Sequence, residues 1–354
     1  MQNQNQSNAR CIVNFPSDKN GCGYYRTIIP FGYFHSKKNW EISTISQFVF
    51  DLNLIKRSHY VRFQRQCTDM QKKYVWEYRR CIDAIKSRCK ISFELDDIVH
   101  GIEPNNILAY QFYTKSRRDN VLEIMKMSNL VTFSTKFLKH FYQREFGIEH
   151  SFVIPNMLPK FLWQPDYNRS KRPEKKKPVV LWAGSASHVG PGGDLEFLVP
   201  MIEATIDEFE WAFVGCIPPK LEKYKKDGRI TFIKWFNFWE YPAAMQQIKA
   251  DVAISPIKDS LFNYAKSDLK YLEYSAMNIP AICSSIGNGI GPYDQAGCPN
   301  LVKNDPDEWY GAIKDLINDE TKYKNSINIQ HKYLNNRWLE DESNLALYET
   351  AFQI

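Results

Sequence analysis

Short runs of β-branched and aromatic residues recur along the chain, each closed by turn residues and followed by a stretch with helical spacing. In the first half the runs fall at 11–15, 60–64, 90–95, 130–134 and 152–154; in the second half at 179–183, 211–214, 230–233, 252–255, 281–284 and 300–302. Continuous apolar runs of this length predict parallel strands covered on both faces. The intervening spacing predicts helices. Residues 70–86 bring Met70, Tyr74, Tyr78, Ile82 and Ile85 to one face. Residues 135–146 gather Phe137, Leu138, Phe141 and Tyr142, with Ser134 or Thr135 as N-cap and Gly147 as the stop. Further helices are predicted at 240–250, 267–277, 306–318 and 339–352. Strand and helix alternating twice over predict an α/β chain of two doubly wound domains. Their ligands bind at the carboxyl ends of the strands, which for facing domains means the cleft between them.

Residues 165–178 are rich in Pro and Lys and lack a hydrophobic period, so 166–177 read as a linker. The expected organisation is a first domain over 1–165, a second over 178–338 and a closing helix over 339–354. At 354 residues, 44% hydrophobic and 24% charged, each half is long enough to bury a core. No run approaches the roughly 20 apolar residues of a membrane span. The polar start, residues 1–8, does not have the pattern of a signal peptide and reads as a frayed lead-in. A cytoplasmic protein is expected. The eight cysteines are scattered without short pairings, which predicts reduced thiols and no zinc site. The net charge of +6 conceals a polarity: +10 over 1–165, +4 over the linker and −8 over the rest. The basic half suits a polyanion or an anionic surface.

Four segments carry candidate chemistry. After the first strand, Gly21 and Gly23 precede Tyr25 and Arg26; they form either a tight turn or a loop that lets backbone approach an anion. The third glycine of the dinucleotide fingerprint is missing. Asp96, Asp97 and His100 end a strand, where the carboxylates either cap a helix or act as a base, and the imidazole can meet a sugar hydroxyl or phosphate. Gly184 and Ser185 follow the first strand of the second half and suit a diphosphate. The richest segment is 253–280. There Lys266, Ser267, Lys270 and Glu273 fall along one side of a helix start, and cations near a helix N-terminus oppose its dipole unless an anion sits there too. Glu273, one turn further in, suits the vicinal hydroxyls of a ribose.

The Phe262-Asn-x-x-Lys266-Ser267-x-x-Lys270-x-x-Glu273 pattern, followed by Asn278-Ile-Pro280, resembles the nucleotide-sugar motif of the GT-B glycosyltransferases, notably the retaining group 1 class. The segments around Val180, Ile154-Pro-Asn156 and Phe133-Ser-Thr135 resemble it as well. The resemblance implies two Rossmann-like domains, with the last helix crossing back to the first. It implies donor contacts from Gly21, Gly23, Gly184, Ser185, Lys234, Lys266, Ser267, Lys270 and Glu273, with Glu273 on the ribose. His100, Asp96, Asp97 and Lys266 are the expected catalytic groups. The family's usual pair of glutamates is incomplete, because Ala265 stands in the place of the first. The expected donor is a nucleoside-diphosphate sugar, UDP-linked, used with retention and without a tightly held metal or other cofactor.

For the acceptor, Arg62, Arg65, Arg79, Arg80 and Arg88, interleaved with aromatic residues, together with Tyr25 and Arg26, suit phosphate contacts and base stacking. A Lys-, Asn- and Tyr-rich chain with a Gln/Asn-rich start also looks like the proteins of large bacteriophages. Such phages glycosylate 5-hydroxymethyl pyrimidines in their DNA, and DNA, with its target base flipped out, is the expected acceptor. A lipid-linked or cell-surface glycan is the alternative, with the basic face meeting anionic headgroups. A third reading is a sugar-nucleotide epimerase or a non-catalytic binder of the same fold.

Overall fold

The computed structural model describes residues 10–164, 177–190 and 192–353. The expected frayed start and nearly all of the expected linker lie outside these residues. Two compact units emerge. The first comprises the described residues of Met1–Asp97, Tyr113–Pro155 and Leu345–Ile354; the second, those of Ile98–Phe112 and Asn156–Asn344. Residues 98–112, expected in the first domain, therefore group with the second unit, as do those from Asn156 onward.

The first unit holds a six-stranded parallel sheet: β1 (Cys11–Phe15), β2 (Glu41–Thr44), β3 (Tyr60–Gln64), β4 (Lys90–Leu95), β5 (Leu130–Phe133) and β6 (Ser151–Val153), in the order β2-β1-β3-β4-β5-β6. Its register pairs Val13 with Val61 and Val61 with Ile91. β1, β3 and nearly all of β4 are buried on both faces, which is why their sequences read as unbroken runs. β2 went unpredicted. It is an edge strand of sequence Glu-Ile-Ser-Thr with no buried residue, and so carries no apolar run.

The second unit repeats the plan with β7 (Val179–Gly184), β8 (Glu210–Gly215), β9 (Ile230–Ile233), β10 (Val252–Ser255), β11 (Ala281–Ser284) and β12 (Leu301–Val302), in the order β12-β11-β10-β7-β8-β9. Trp182, Trp211, Phe213, Ile254 and Trp309 belong to its core. In each sheet the direction of winding reverses once, between β1 and β3 and between β7 and β10. Doubly wound sheets bind ligands outside the carboxyl ends of the strands at that reversal.

The Lys136–Phe146 helix is capped as expected, Thr135 accepting from Leu138 N at 3.1 Å and Gly147 ending it at φ 68°. In the Asp69–Ala84 helix the buried stripe is Val75, Tyr78 and Ile82. Met70 (66% exposed) and Ile85 (45%) were misassigned to it, because they lie at the helix ends, beyond the core. The Glu342–Ala351 helix packs in the first unit: Phe31 meets Tyr348 and Phe352 edge-on at 5.9 and 5.5 Å, and Tyr60 meets Phe352 at 5.1 Å.

Candidate functional site

At the β7/β10 reversal several polar groups converge. β7 ends in Gly184, whose place admits no side chain: a Cβ would stand 2.5 Å from the Trp182 ring and 3.2 Å from Lys270 Nζ. Lys270 rises from the Leu269–Ala276 helix with its ammonium 5.1 Å from the Trp182 ring centroid. That Nζ is buried and has no hydrogen-bond partner among the described residues. Burial pushes its pKa down to about 8, with Lys266 adding to the fall and Asp194 opposing it. A buried, unpaired ammonium is costly unless an anion comes to it.

Around it the network is closed. Asp194 takes His188 Nδ1 at 2.6 Å, and its other oxygen takes Lys258 N and Asn263 Nδ2, both at 2.8 Å. Burial raises the Asp194 pKa, but the hydrogen bond from His188 and further donors outweigh it and hold the carboxyl at about 2. Burial and Lys270 lower His188 to about 4, so its imidazole is neutral at pH 7. An ionised Asp194 assigns the proton to Nδ1 and leaves Nε2 as an acceptor.

Further along the helix, Glu273 is 6% exposed, and Tyr241 OH donates to its Oε2 at 3.1 Å. Tyr241 stacks on Trp235 at 5.4 Å, and the Trp235 ring lies over Gly215 at the end of β8. Gly215 has φ +93°, and a Cβ there would be 2.2 Å from that ring. Trp235 is 55% exposed, an open aromatic face beside a buried carboxylate.

The expected donor residues are therefore brought together only in part. Gly184, Lys270 and Glu273 share this end of the second unit, with Lys266 4.5 Å from the Phe262 ring and Ser185 exposed. Lys234 is exposed just beyond β9. Ser267 is held by Asn156 Nδ2 at 2.7 Å, and Asp268 is the N-cap residue of the helix. Sequence reading missed His188, Asp194, Gly215, Trp235 and Tyr241. An aromatic residue two positions past the end of a strand, as Trp235 is, was the available signal.

In the first unit several expectations are corrected. Gly23 N donates to Asp18 Oδ1 at 3.0 Å, so that amide is not presented to a phosphate; its glycine is required because a Cβ would meet Asp18 O. Gly21 is exposed. Asp96 and Asp97 both face Arg65, at 3.2 and 2.6 Å, and burial raises the Asp96 pKa against the pull of that guanidinium. The pair anchors Arg65, itself in the left-handed region at φ 61°, and is not placed as a base. Tyr25, Arg26 and Arg62 are buried in the sheet layer, the last two against Glu94, and offer no acceptor surface. Arg79 and Arg80 pair with Asp83 and Glu77 on their own helix, while Arg88 is exposed. His100 lies in a short turn, Val99–Gly101, that groups with the second unit.

The fold is that of the GT-B structures: two Rossmann-like units, each with a parallel six-stranded sheet. Residues 177–319 match the family of glycosyl transferases group 1, the stretch that carries Gly184, Lys270 and Glu273. No curated protein matches the sequence. Among solved structures, HepE (Alr3699) of Anabaena in complex with UDP-glucose is similar at TM-score 0.66 and 13% identity, covering 97% of this chain and 100% of its own. A glycosyltransferase from Rickettsia africae gives 0.61 at 14% identity, covering 98% and 99%. WaaG, a glycosyltransferase involved in lipopolysaccharide biosynthesis, gives 0.54 at 11%, covering 96% and 98%.

Proposed function

We infer that the chain transfers a sugar from a UDP-linked donor to a hydroxyl of a glycan acceptor, with retention of anomeric configuration. The observation that carries this reading is the buried, unpartnered ammonium of Lys270 beside Gly184. A diphosphate supplies the missing counter-charge, and the cation stabilises it as it leaves. Lys266 adds positive charge, which is why the reading includes no tightly bound metal. Glu273 takes the ribose hydroxyls and the open face of Trp235 takes the base. The crystallised complex of HepE with UDP-glucose supports the choice of nucleotide. The resemblance to the retaining group 1 class supports retention. Because Asp194 is used by His188, Lys258 and Asn263 while Glu273 holds Tyr241, neither is placed as the nucleophile of a double displacement, which leaves attack from the leaving-group face as the retaining route. A phosphate oxygen of the leaving group then takes the acceptor proton. The anomeric configuration of the product, read by NMR, tests this step.

Replacing Glu273 with Ala is expected to weaken UDP binding about 10- to 100-fold, the worth of hydrogen bonds to an ionised group. Calorimetry with UDP checks it, and unchanged affinity removes Glu273 from the ribose.

No helix of the described residues is long and apolar enough to cross a membrane. The glycan reading is preferred to DNA because Arg26 and Arg62 are buried and Arg65, Arg79 and Arg80 are already paired with carboxylates. The role of WaaG in lipopolysaccharide synthesis points the same way. DNA remains the second reading on one observation: Lys73, Arg80 and Arg88 are exposed, with Trp76 half-exposed among them. Duplex binding is expected to be weak, with a shallow dependence on salt. Each phosphate contact would add about −0.9 to the slope of log K against log salt. A slope of −4 or steeper, abolished by reversing Arg79, Arg80 and Arg88 to Glu, puts DNA first.

A further inference from the structure

The loop after β7 holds a polar pair whose outward atom nothing above uses. The backbone brings the two residues together. Leu195 N donates to His188 O at 3.1 Å, and Gly193 admits no side chain, because a Cβ there would stand 2.5 Å from that same oxygen. Across this turn the imidazole meets Asp194 Oδ2 through Nδ1 at 2.6 Å, while Asp194 Oδ1 is filled by Lys258 N and Asn263 Nδ2. A carboxylate that receives donors at both oxygens has no proton of its own to give, so the imidazole proton sits on Nδ1. Nε2 is left as a bare acceptor. It has no hydrogen-bond partner among the described residues, and it stays open to solvent in a side chain 15% exposed.

Its place decides what it accepts from. On the donor reading, Glu273 meets the ribose and Lys270, one turn earlier in the same helix, meets the diphosphate. The His188–Asp194 pair is tied to Lys258 and Asn263, in the segment that leads into that helix, and not to Glu273. It shares the Trp182 ring with Lys270, the imidazole edge-on at 6.5 Å and the ammonium at 5.1 Å. Ribose, diphosphate and transferred sugar follow one another in the donor, so a group beside the diphosphate and away from the ribose carboxylate meets the sugar. The chemistry agrees. A diphosphate ester has no proton to offer Nε2, and the Asp194 charge behind the ring repels an anion, whereas a sugar hydroxyl can donate. Burial, then Lys270 and Lys266, disfavour the charged imidazole, which keeps Nε2 an acceptor.

We propose that Nε2 of His188 accepts a hydrogen bond from a hydroxyl of the sugar being transferred, with Asp194 as the positioning residue that fixes the tautomer, so that this pair selects the donor by its sugar. The proposal rests on the donor reading above. The test is calorimetry on the full chain with UDP, UDP-glucose, UDP-galactose and UDP-N-acetylglucosamine, and with monodeoxy analogues of whichever sugar nucleotide binds best. His188→Phe keeps a planar ring and removes the acceptor. It is expected to bind UDP within about twofold of the wild type and the UDP-sugar about tenfold more weakly, the effect of losing one hydrogen bond. One monodeoxy analogue is expected to show the same loss in the wild type and none further in His188→Phe. Asp194→Asn is the second variant. Its Oδ1 still accepts from Lys258 and Asn263, while its amide donates to Nδ1 and moves the imidazole proton to Nε2. Nitrogen NMR of His188 reads that change of tautomer. The UDP-sugar is again expected to bind about tenfold more weakly and UDP no more weakly, since a negative charge has left the neighbourhood of an anion. Equal loss of UDP and UDP-sugar in both variants, no loss of UDP-sugar in either, no monodeoxy analogue that matches His188→Phe, or a wild-type imidazole protonated at Nε2 overturns the proposal. Failure of UDP and of every UDP-sugar to bind the wild type refutes the donor reading, and the proposal with it.

Discussion

Lys270→Met is expected to lower kcat/KM for the donor about 10²- to 10³-fold, the usual consequence of deleting one preorganised group that stabilises a departing anion. The same change is expected to leave the fold at least as stable as before. Nζ is buried beside Trp182 with no hydrogen-bond partner among the described residues, so the folded protein bears a desolvation cost that Met does not. Loss of function without loss of stability separates a ligand-facing cation from a structural one. Thermal unfolding, donor kinetics and UDP calorimetry on the same preparation check both halves. A fall in melting temperature with intact turnover would make Lys270 a structural residue.

The depressed pKa carries a pH signature of its own. The folded value of about 8 lies below the 10.5 of an ordinary lysine, so between these limits the unfolded chain binds a proton that the native chain does not. Stability therefore rises with pH across that window, and the cost is fully present below about 8. Donor binding runs the opposite way. Only the ammonium attracts a diphosphate, so affinity for UDP falls as pH climbs through about 8. In Lys270→Met both dependences are expected to flatten.

How much of this was legible depended on whether a residue announces its burial. β3 and β7 are covered on both faces and read as apolar runs; β2, at a sheet edge, does not. Lys270 and Glu273 were legible because helix spacing fixes their side. Trp235 and Asp194 were not, since they arrive from separate loops and meet the helix only through the order of the strands. The basic face was overread: counting arginines gives a charge but not its location. Arg62 alternates with Val61 and Phe63 in a strand that the run pattern already marked as buried. A cation in such a strand needs a buried partner, and that requirement was readable.

The partner is Glu94, one strand over. Its Oε1 takes Arg26 Nε at 2.7 Å, its Oε2 takes Arg62 at 3.1 Å, and Thr132 Oγ1 donates to the same oxygen. Arg26 also reaches Ile154 O at 2.6 Å, and Arg62 reaches Thr27 at 2.6 Å while resting on the Phe31 ring at 4.9 Å. Phe31 in turn meets Tyr348 and Phe352, so the charged cluster underlies the seat of the C-terminal helix. Glu94→Ala would leave two buried guanidinium groups without a counter-charge. Breaking a buried pair from one side costs roughly 3–5 kcal/mol, and here one carboxylate serves two cations. The expected loss is a large part of the stability of an ordinary domain, enough to unfold the first unit at moderate denaturant. Urea unfolding followed by tryptophan fluorescence and circular dichroism measures it. Arg62→Met together with Glu94→Gln should recover part of the loss, because a neutral amide facing a single guanidinium strands less charge. If Glu94→Ala unfolds at the wild-type midpoint, the buried cluster is not what holds this layer together.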